Sequence, residues 1–158
     1  ADLRAEDMLP FERMIHYGLP AVMAAHVVYP AVAPLPASFS YNWLHTVLRQ
    51  QLGFHGAVFS DDLTMVGAQV AGSAPTERAH VALEAGCDMA LICNDRAAVV
   101  EVVDHLRHTA NPASQLRLTR LHGRHPRRWN ELLESPQWQK AMEQVRSYDA
   151  DPLLDLDL

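Results

Sequence analysis

Two adjacent carboxylates, Asp61 and Asp62, stand at the end of the stretch Gly53-Phe-His-Gly-Ala-Val-Phe-Ser-Asp-Asp-Leu-Thr-Met65. The preceding Ala57–Phe59 reads as a short buried β-strand, because β-branched and aromatic residues bounded by glycine favour one. In parallel α/β sheets and barrels, ligands collect at the carboxyl ends of the strands. An acidic pair at such an end is therefore placed for chemistry. Neighbours on a strand point to opposite faces. Asp61 is expected to aim into a pocket as the working carboxylate, and Asp62 to turn to backbone donors in the following turn. Read by itself, Asp61 is equally suited to capping a helix.

Two further polar residues close apolar runs: His26 after Leu19–Ala25, and Asn94 after Cys87–Cys93. His26 either lines the pocket or bonds loop backbone, and Asn94 either contacts a ligand at the rim or serves the turn. Met65 either touches the ligand or packs. Glu77 and Arg78 read as helix-surface charges. The arginines between Arg117 and Arg128, with His122 and His125 among them, read as a solvated face, with a phosphate or acidic-peptide partner as the lesser alternative. The histidines lack paired ligand spacing; His105 and His108, three apart, are a weak signal, and no metal or other cofactor is expected.

The elements that must hold these residues alternate. A helix carrying Phe11, Met14 and Ile15 is expected after Asp7 as cap and Pro10 in the first turn, with Gly18 closing it. The Leu19–His26 run suits a strand buried on both faces. Val27–Ser38, with Pro30, Pro34 and Pro36, reads as an ordered loop. Ser40 to about Leu52 is a helix with Trp43, Leu44, Val47 and Leu48 on its apolar stripe, stopped by Gly53. Leu63–Gly72 is a loop with one helical turn. Pro75 to Gly86 is a helix with Ala79, Val81, Ala82 and Leu83 inside. Cys87–Cys93 is the third strand, and about Asp95 to Leu106 the next helix, with Asp95 at its start. After residue 110 the pattern turns to helix only: 113–122, 127–134 and 136–148. The tail from Asp149 is expected to be disordered or loosely docked.

The 158 residues are 49% hydrophobic and 20% charged, which suits a globular core. The net charge of −6 and pI near 5.8 disfavour a nucleic-acid partner. No apolar run is long enough to span a bilayer. No secretory signal is visible at the N-terminus. The first residue is Ala1 rather than Met, as expected of a processed or partial product. Cys87 and Cys93, six apart on one strand, share a face but lie too far apart for a disulfide, so both are expected as buried thiols in a reducing compartment.

Five blocks taken in order carry a resemblance: Pro20-Ala-Val-Met-Ala-Ala-His-Val, Pro36-Ala-Ser, Trp43 to Gly56, Phe59-Ser-Asp-Asp-Leu-Thr-Met, and Ala85-Gly-Cys-Asp-Met-Ala-Leu-Ile-Cys-Asn. Together they resemble the bacterial cytoplasmic β-N-acetylglucosaminidases of glycoside hydrolase family 3, which act in peptidoglycan recycling. The resemblance implies part of a (β/α)8 barrel: its last three parallel strands with crossover helices in 1–110, then a helical segment in 111–148 packing on the barrel, then the acidic tail 149–158. It implies Asp61 as the nucleophile of a retaining hydrolase that removes terminal β-linked N-acetylglucosamine from muropeptides. His26, Met65 and Asn94 become candidate sugar contacts, with Asp62 structural. The family's acid–base block, Lys-His-Phe-Pro-Gly-His-Gly, does not occur in this sequence. The chain alone is therefore expected to turn over weakly or not at all.

Two readings from other classes compete. One is a small α/β binding or switch module holding Mg²⁺ on Asp61 and Asp62. The other is a non-catalytic remnant that pairs with another chain or self-associates, since three strands cannot close a barrel and leave two sheet edges open.

Overall fold

The computed structural model describes residues 3–107, 111–123 and 127–150. The acidic tail lies, from residue 151 on, outside the described residues. The chain divides into two compact units, 1–122 and 123–158.

The first unit is built on a three-stranded parallel sheet of order β1-β2-β3, formed by β1 (Ala21–Ala24), β2 (Ala57–Asp62) and β3 (Met89–Leu91). Parallel strands need long crossovers, and helices supply them. β1 and β2 run in regular register from Ala21 opposite Ala57 to Ala24 opposite Ser60. Before β1 lies helix α1 (Leu9–His16); between β1 and β2 lies a helix over Asn42–Gln51 wound with i→i+5 bonds, as in Leu52 N–H to the Val47 carbonyl at 3.0 Å. Helices α2 (Pro75–Ala85) and α3 (Arg96–His105) flank β3, and α4 (Pro112–Thr119) follows. Two short 3-10 turns, Ala37–Phe39 and Val66–Ala71, lie in the loops.

The core gathers Phe39, Leu44, Phe54, Val58, Leu63 and Val102 with a small-residue stripe on α2, Ala79, Ala82 and Ala85. Alanines spaced three apart let the helix lie close to its neighbours. Full burial of Phe54 and Leu63 contributes about 1.5–3 kcal/mol each. Gly56 is fixed by space: a Cβ there would collide with the Pro20 carbonyl and the Phe54 ring, where β2 enters beside β1. Gly86, at φ 118°, ends α2 in the left-handed region that favours glycine.

The amino ends of β2 and β3 are joined by Asp88, whose side chain has no exposed surface. Its Oδ2 accepts from Val58 N–H and from Arg49, both at 2.8 Å. Its Oδ1 accepts from Arg117 at 2.9 Å and from the Ser114 hydroxyl. Burial pushes this carboxyl up, but the bonds from Ser114, Val58 N–H and Arg117 and the charge of Arg49 outweigh it and hold the group below the usual carboxylate range.

Several expectations are corrected. Arg117 is not part of a solvated face; it reaches a buried acid. The same ion pair ties α4 to the start of β3, within the unit that ends at His122. Arg78 is buried at 9% exposure, not a surface charge, because position 78 shares a helix face with Ala82 and Ala85. Cys93 is exposed, since β3 ends at Leu91, while Cys87 is buried. Met8, not Asp7, sits at the α1 cap position. β1 is not buried on both faces: Met23 is 58% exposed. The second unit holds helices α5 (Trp129–Leu133) and α6 (Pro136–Ala150), with Trp129 and Trp138 packed edge to face at 5.9 Å.

Breaking a buried ion pair from one side costs about 3–5 kcal/mol. Asp88→Ala should lower the unfolding free energy of the chain by that amount in urea titrations. In the native chain, the contribution of Asp88 is complete above the ordinary carboxylate pKa of about 3.9. It is lost as pH falls through the lower folded-state value. Thermal melts at stepped pH should show a plateau down to about 4 and a decline below it.

Candidate active site at the carboxyl end of the sheet

Asp61 and Asp62 close β2 where its pairing with β3 changes register. Phe59 stands opposite Met89, and Asp62 opposite Leu91, so three steps on β2 match two on β3. A bulge of this kind re-aims the side chains next to it. Ser60 makes the step possible. Its buried hydroxyl accepts from Leu91 N–H at 2.9 Å, in the role of a main-chain carbonyl, and donates to the Asp61 carbonyl at 2.8 Å. The ladder resumes with Leu63 N–H to the Leu91 carbonyl at 2.8 Å.

The two carboxylates differ in what they hold. Asp62 is held by three donors: Oδ1 accepts from Thr64 N–H and Cys93 N–H, each at 3.0 Å, and Oδ2 from the Thr64 hydroxyl at 2.7 Å. Desolvation acts upward on its pKa, yet the three bonds and the nearby His26 hold it below the usual carboxylate range. Asp61 is half-buried, and its Oδ1 accepts from Asp62 N–H at 2.9 Å. Among the described residues its side chain has no other hydrogen bond.

His26 packs flat on Phe39, ring centroids 4.9 Å apart and planes 8° from parallel. Its Nε2–H donates to the Asp62 carbonyl at 3.0 Å, and its Nδ1 is hydrogen-bonded to the Ser38 hydroxyl at 2.6 Å. Both ring nitrogens are thus engaged within the protein. His26 lies beside Asp62 at the same end of the sheet, while Met65 is 46% exposed one turn beyond it. Asn94 is exposed in a left-handed turn at φ 58°, a conformation asparagine tolerates. Among the described residues no group of three or more His, Cys, Asp or Glu is placed to hold a metal ion. No helix among them is long and apolar enough to cross a membrane.

A parallel sheet that lifts a free carboxylate at its carboxyl edge, beside a second one tied down by backbone donors, defines the α/β class whose reactions occur at strand ends. The family follows from comparison. The glycosyl hydrolase family 3 N-terminal domain matches residues 1–121. The β-hexosaminidase of Thioalkalivibrio sulfidiphilus is 49% identical over 152 residues, covering 96% of this chain and 44% of the relative. That of Alkalilimnicola ehrlichii is 47% identical, covering 99% and 44%. NagZ from Neisseria gonorrhoeae, solved with N-trifluoroacetyl-D-glucosamine, superposes with a TM-score of 0.76 at 37% identity over 92% of this chain and 41% of that one. The chain therefore belongs to glycosyl hydrolase family 3, and its sheet is part of that family's (β/α) barrel. It spans less than half the length of the relatives it matches.

Sequence reasoning missed Ser38 and Ser60, the two buried hydroxyls on which His26 and the bulge rely. Ser60 is legible as the one uncharged polar residue in β2. Replacing His26 with Phe would leave the Ser38 hydroxyl without a partner, at about 1–3 kcal/mol for a buried group, and the Asp62 carbonyl with the Met65 N–H alone at 3.1 Å. Ser38→Ala should cost about 1 kcal/mol. Urea denaturation of both variants checks the order, with His26→Phe the larger loss.

Proposed function

We propose that the chain is the nucleophile-bearing part of a retaining β-N-acetylhexosaminidase, with Asp61 as the attacking carboxylate. The observation that carries this reading is the contrast at the end of β2: Asp62 has its oxygens filled by Thr64 and Cys93, while Asp61 accepts a single bond from the adjacent amide. A retaining glycosidase needs one carboxylate to attack the anomeric carbon and a second group to protonate the leaving oxygen, then to deprotonate water. Asp61 supplies the first. The second comes from outside the 158 residues, whose sequence lacks the acid–base block. The names of the relatives support an N-acetylglucosaminide as substrate. The proposal extends to muropeptides of cell-wall recycling as the source and the cytoplasm as the setting. His26 supports the site through Asp62, with Met65 and Asn94 as candidate sugar contacts. The sheet's open edges, where Met23 and Met89 are exposed, are surfaces for association with further strands or a second copy.

A sugar with a strongly activated aryl leaving group needs little proton donation, so it can load the nucleophile without the acid–base group. Incubating the chain with such an N-acetylglucosaminide should give a covalent glycosyl adduct, mapped by peptide mass spectrometry to Asp61 and absent in Asp61→Asn. An adduct on Asp62 would move the nucleophile. With an unactivated aryl glycoside, turnover should be lower than that of a complete relative by a factor of about 100 to 10,000. Turnover at the full rate would refute the division of labour.

A further inference from the structure

A cavity of about 530 Å³ opens at the amino ends of the strands, away from Asp61. Gly86 and Cys87, where β3 is approached from α2, form part of its wall, and Arg49, Arg117, His45 and Asn111 face it. The two guanidiniums share one carboxylate, Asp88, which four donors already saturate. Among the described residues neither arginine lies within ion-pair distance of another acid. Arg49 also donates to the Phe54 and Gly56 carbonyls. Arg117 spends one bond on Asp88 and keeps the rest of its five-donor fork.

Two cations against one anion leave positive charge beside the cavity. The effect is visible on Arg49, whose pKa is lowered first by burial and next by the charge of Arg117, more than Asp88 restores. Cys87 adds no negative charge, because burial pushes its thiol up to about 12. The cavity's one carboxylate, Glu84, is exposed to solvent. Asn111 accepts from Ala113 N–H through its oxygen, which leaves its amide N–H groups to donate. His45 is held upright by stacking on Tyr41, ring centroids 4.6 Å apart.

We propose that this cavity binds a small oxyanion, a phosphate or carboxylate group on a metabolite-sized molecule, with Arg117 as its principal ligand and Asn111 and His45 completing the site. A fork of N–H donors matches two oxygens of such a group. The site stands apart from the hydrolase reading, since it uses neither Asp61 nor any residue at the carboxyl end of the sheet.

The test is an amide-resolved NMR titration of the full 158-residue chain with inorganic phosphate and, separately, with acetate at matched ionic strength. Saturable shifts confined to Gly86, Cys87, Asn111, Ser114 and Arg117 are expected. Tighter binding of phosphate would assign the phosphoryl class, and tighter binding of acetate the carboxylate class. Arg117→Gln should weaken binding roughly tenfold or more. Arg117→Lys, which keeps a cation on Asp88 and guards against loss of fold, should weaken it several-fold by removing the fork. Shifts that never saturate, or equal binding by the native chain and Arg117→Lys, would overturn the proposal.

Discussion

A carboxylate with no exposed surface is costly unless every lone pair is used. Asp88 meets that condition with four donors drawn from four places in the chain: β2, the Asn42–Gln51 helix and two positions on α4. Its own amide also donates to the Val58 carbonyl at 2.7 Å, so Val58 and Asp88 are bonded twice. The start of β3 is thereby tied to β2 before regular strand pairing begins. The aspartate doublet stands at the other end of the same two strands. Any slip at the Asp88 end would be carried along β2 to the carboxylates.

The carboxyl end is held by a different kind of contact. There the partners are mostly backbone groups, and the side chains that touch them are neutral or singly charged: Ser60, Ser38, His26 and Asp62. The Asp62 residue is gripped from both sides, its carbonyl by His26 and its carboxylate by the Thr64 and Cys93 amides. Asp61 is left with one bond, from an amide that this grip immobilises. A reactive group needs a fixed direction and an unfilled oxygen, and the doublet provides these by giving the two aspartates opposite tasks. Packing contributes as well, since a Cβ on Gly67 would stand 3.0 Å from that of His26, which leaves little space behind the imidazole.

Much of this was legible in the residues. The strands and helices followed from apolar period and from glycine and proline punctuation, and the Ser-Asp-Asp end of β2 marked the site. What escaped has a common cause: the partner lies far away in sequence. Asp88 falls inside the apolar run Cys87–Cys93, yet its ligands stand 39, 30, 26 and 29 residues distant. A lone charge inside a buried run was the signal that partners must exist. Arg78 could have been placed by the helical spacing that sets it above Ala82 and Ala85. His26 could not be resolved between two uses, because Ser38 and the Asp62 carbonyl, 12 and 36 residues away, are brought to it by the fold. Cys93 was misplaced because the strand stops two residues short of it.

The extra residue on β2 bears on how such a chain tolerates change. On the β1 side the pairing is regular, so a deletion at the irregular step would be absorbed toward β3 alone. Because the step is followed by two identical residues, sliding the chain by one would still deliver an aspartate to the open position. It would not deliver a hydroxyl to the Leu91 amide. The doublet thus gives the locus a spare acid but no spare serine, so natural length variation here should be limited by the alcohol rather than by the charge.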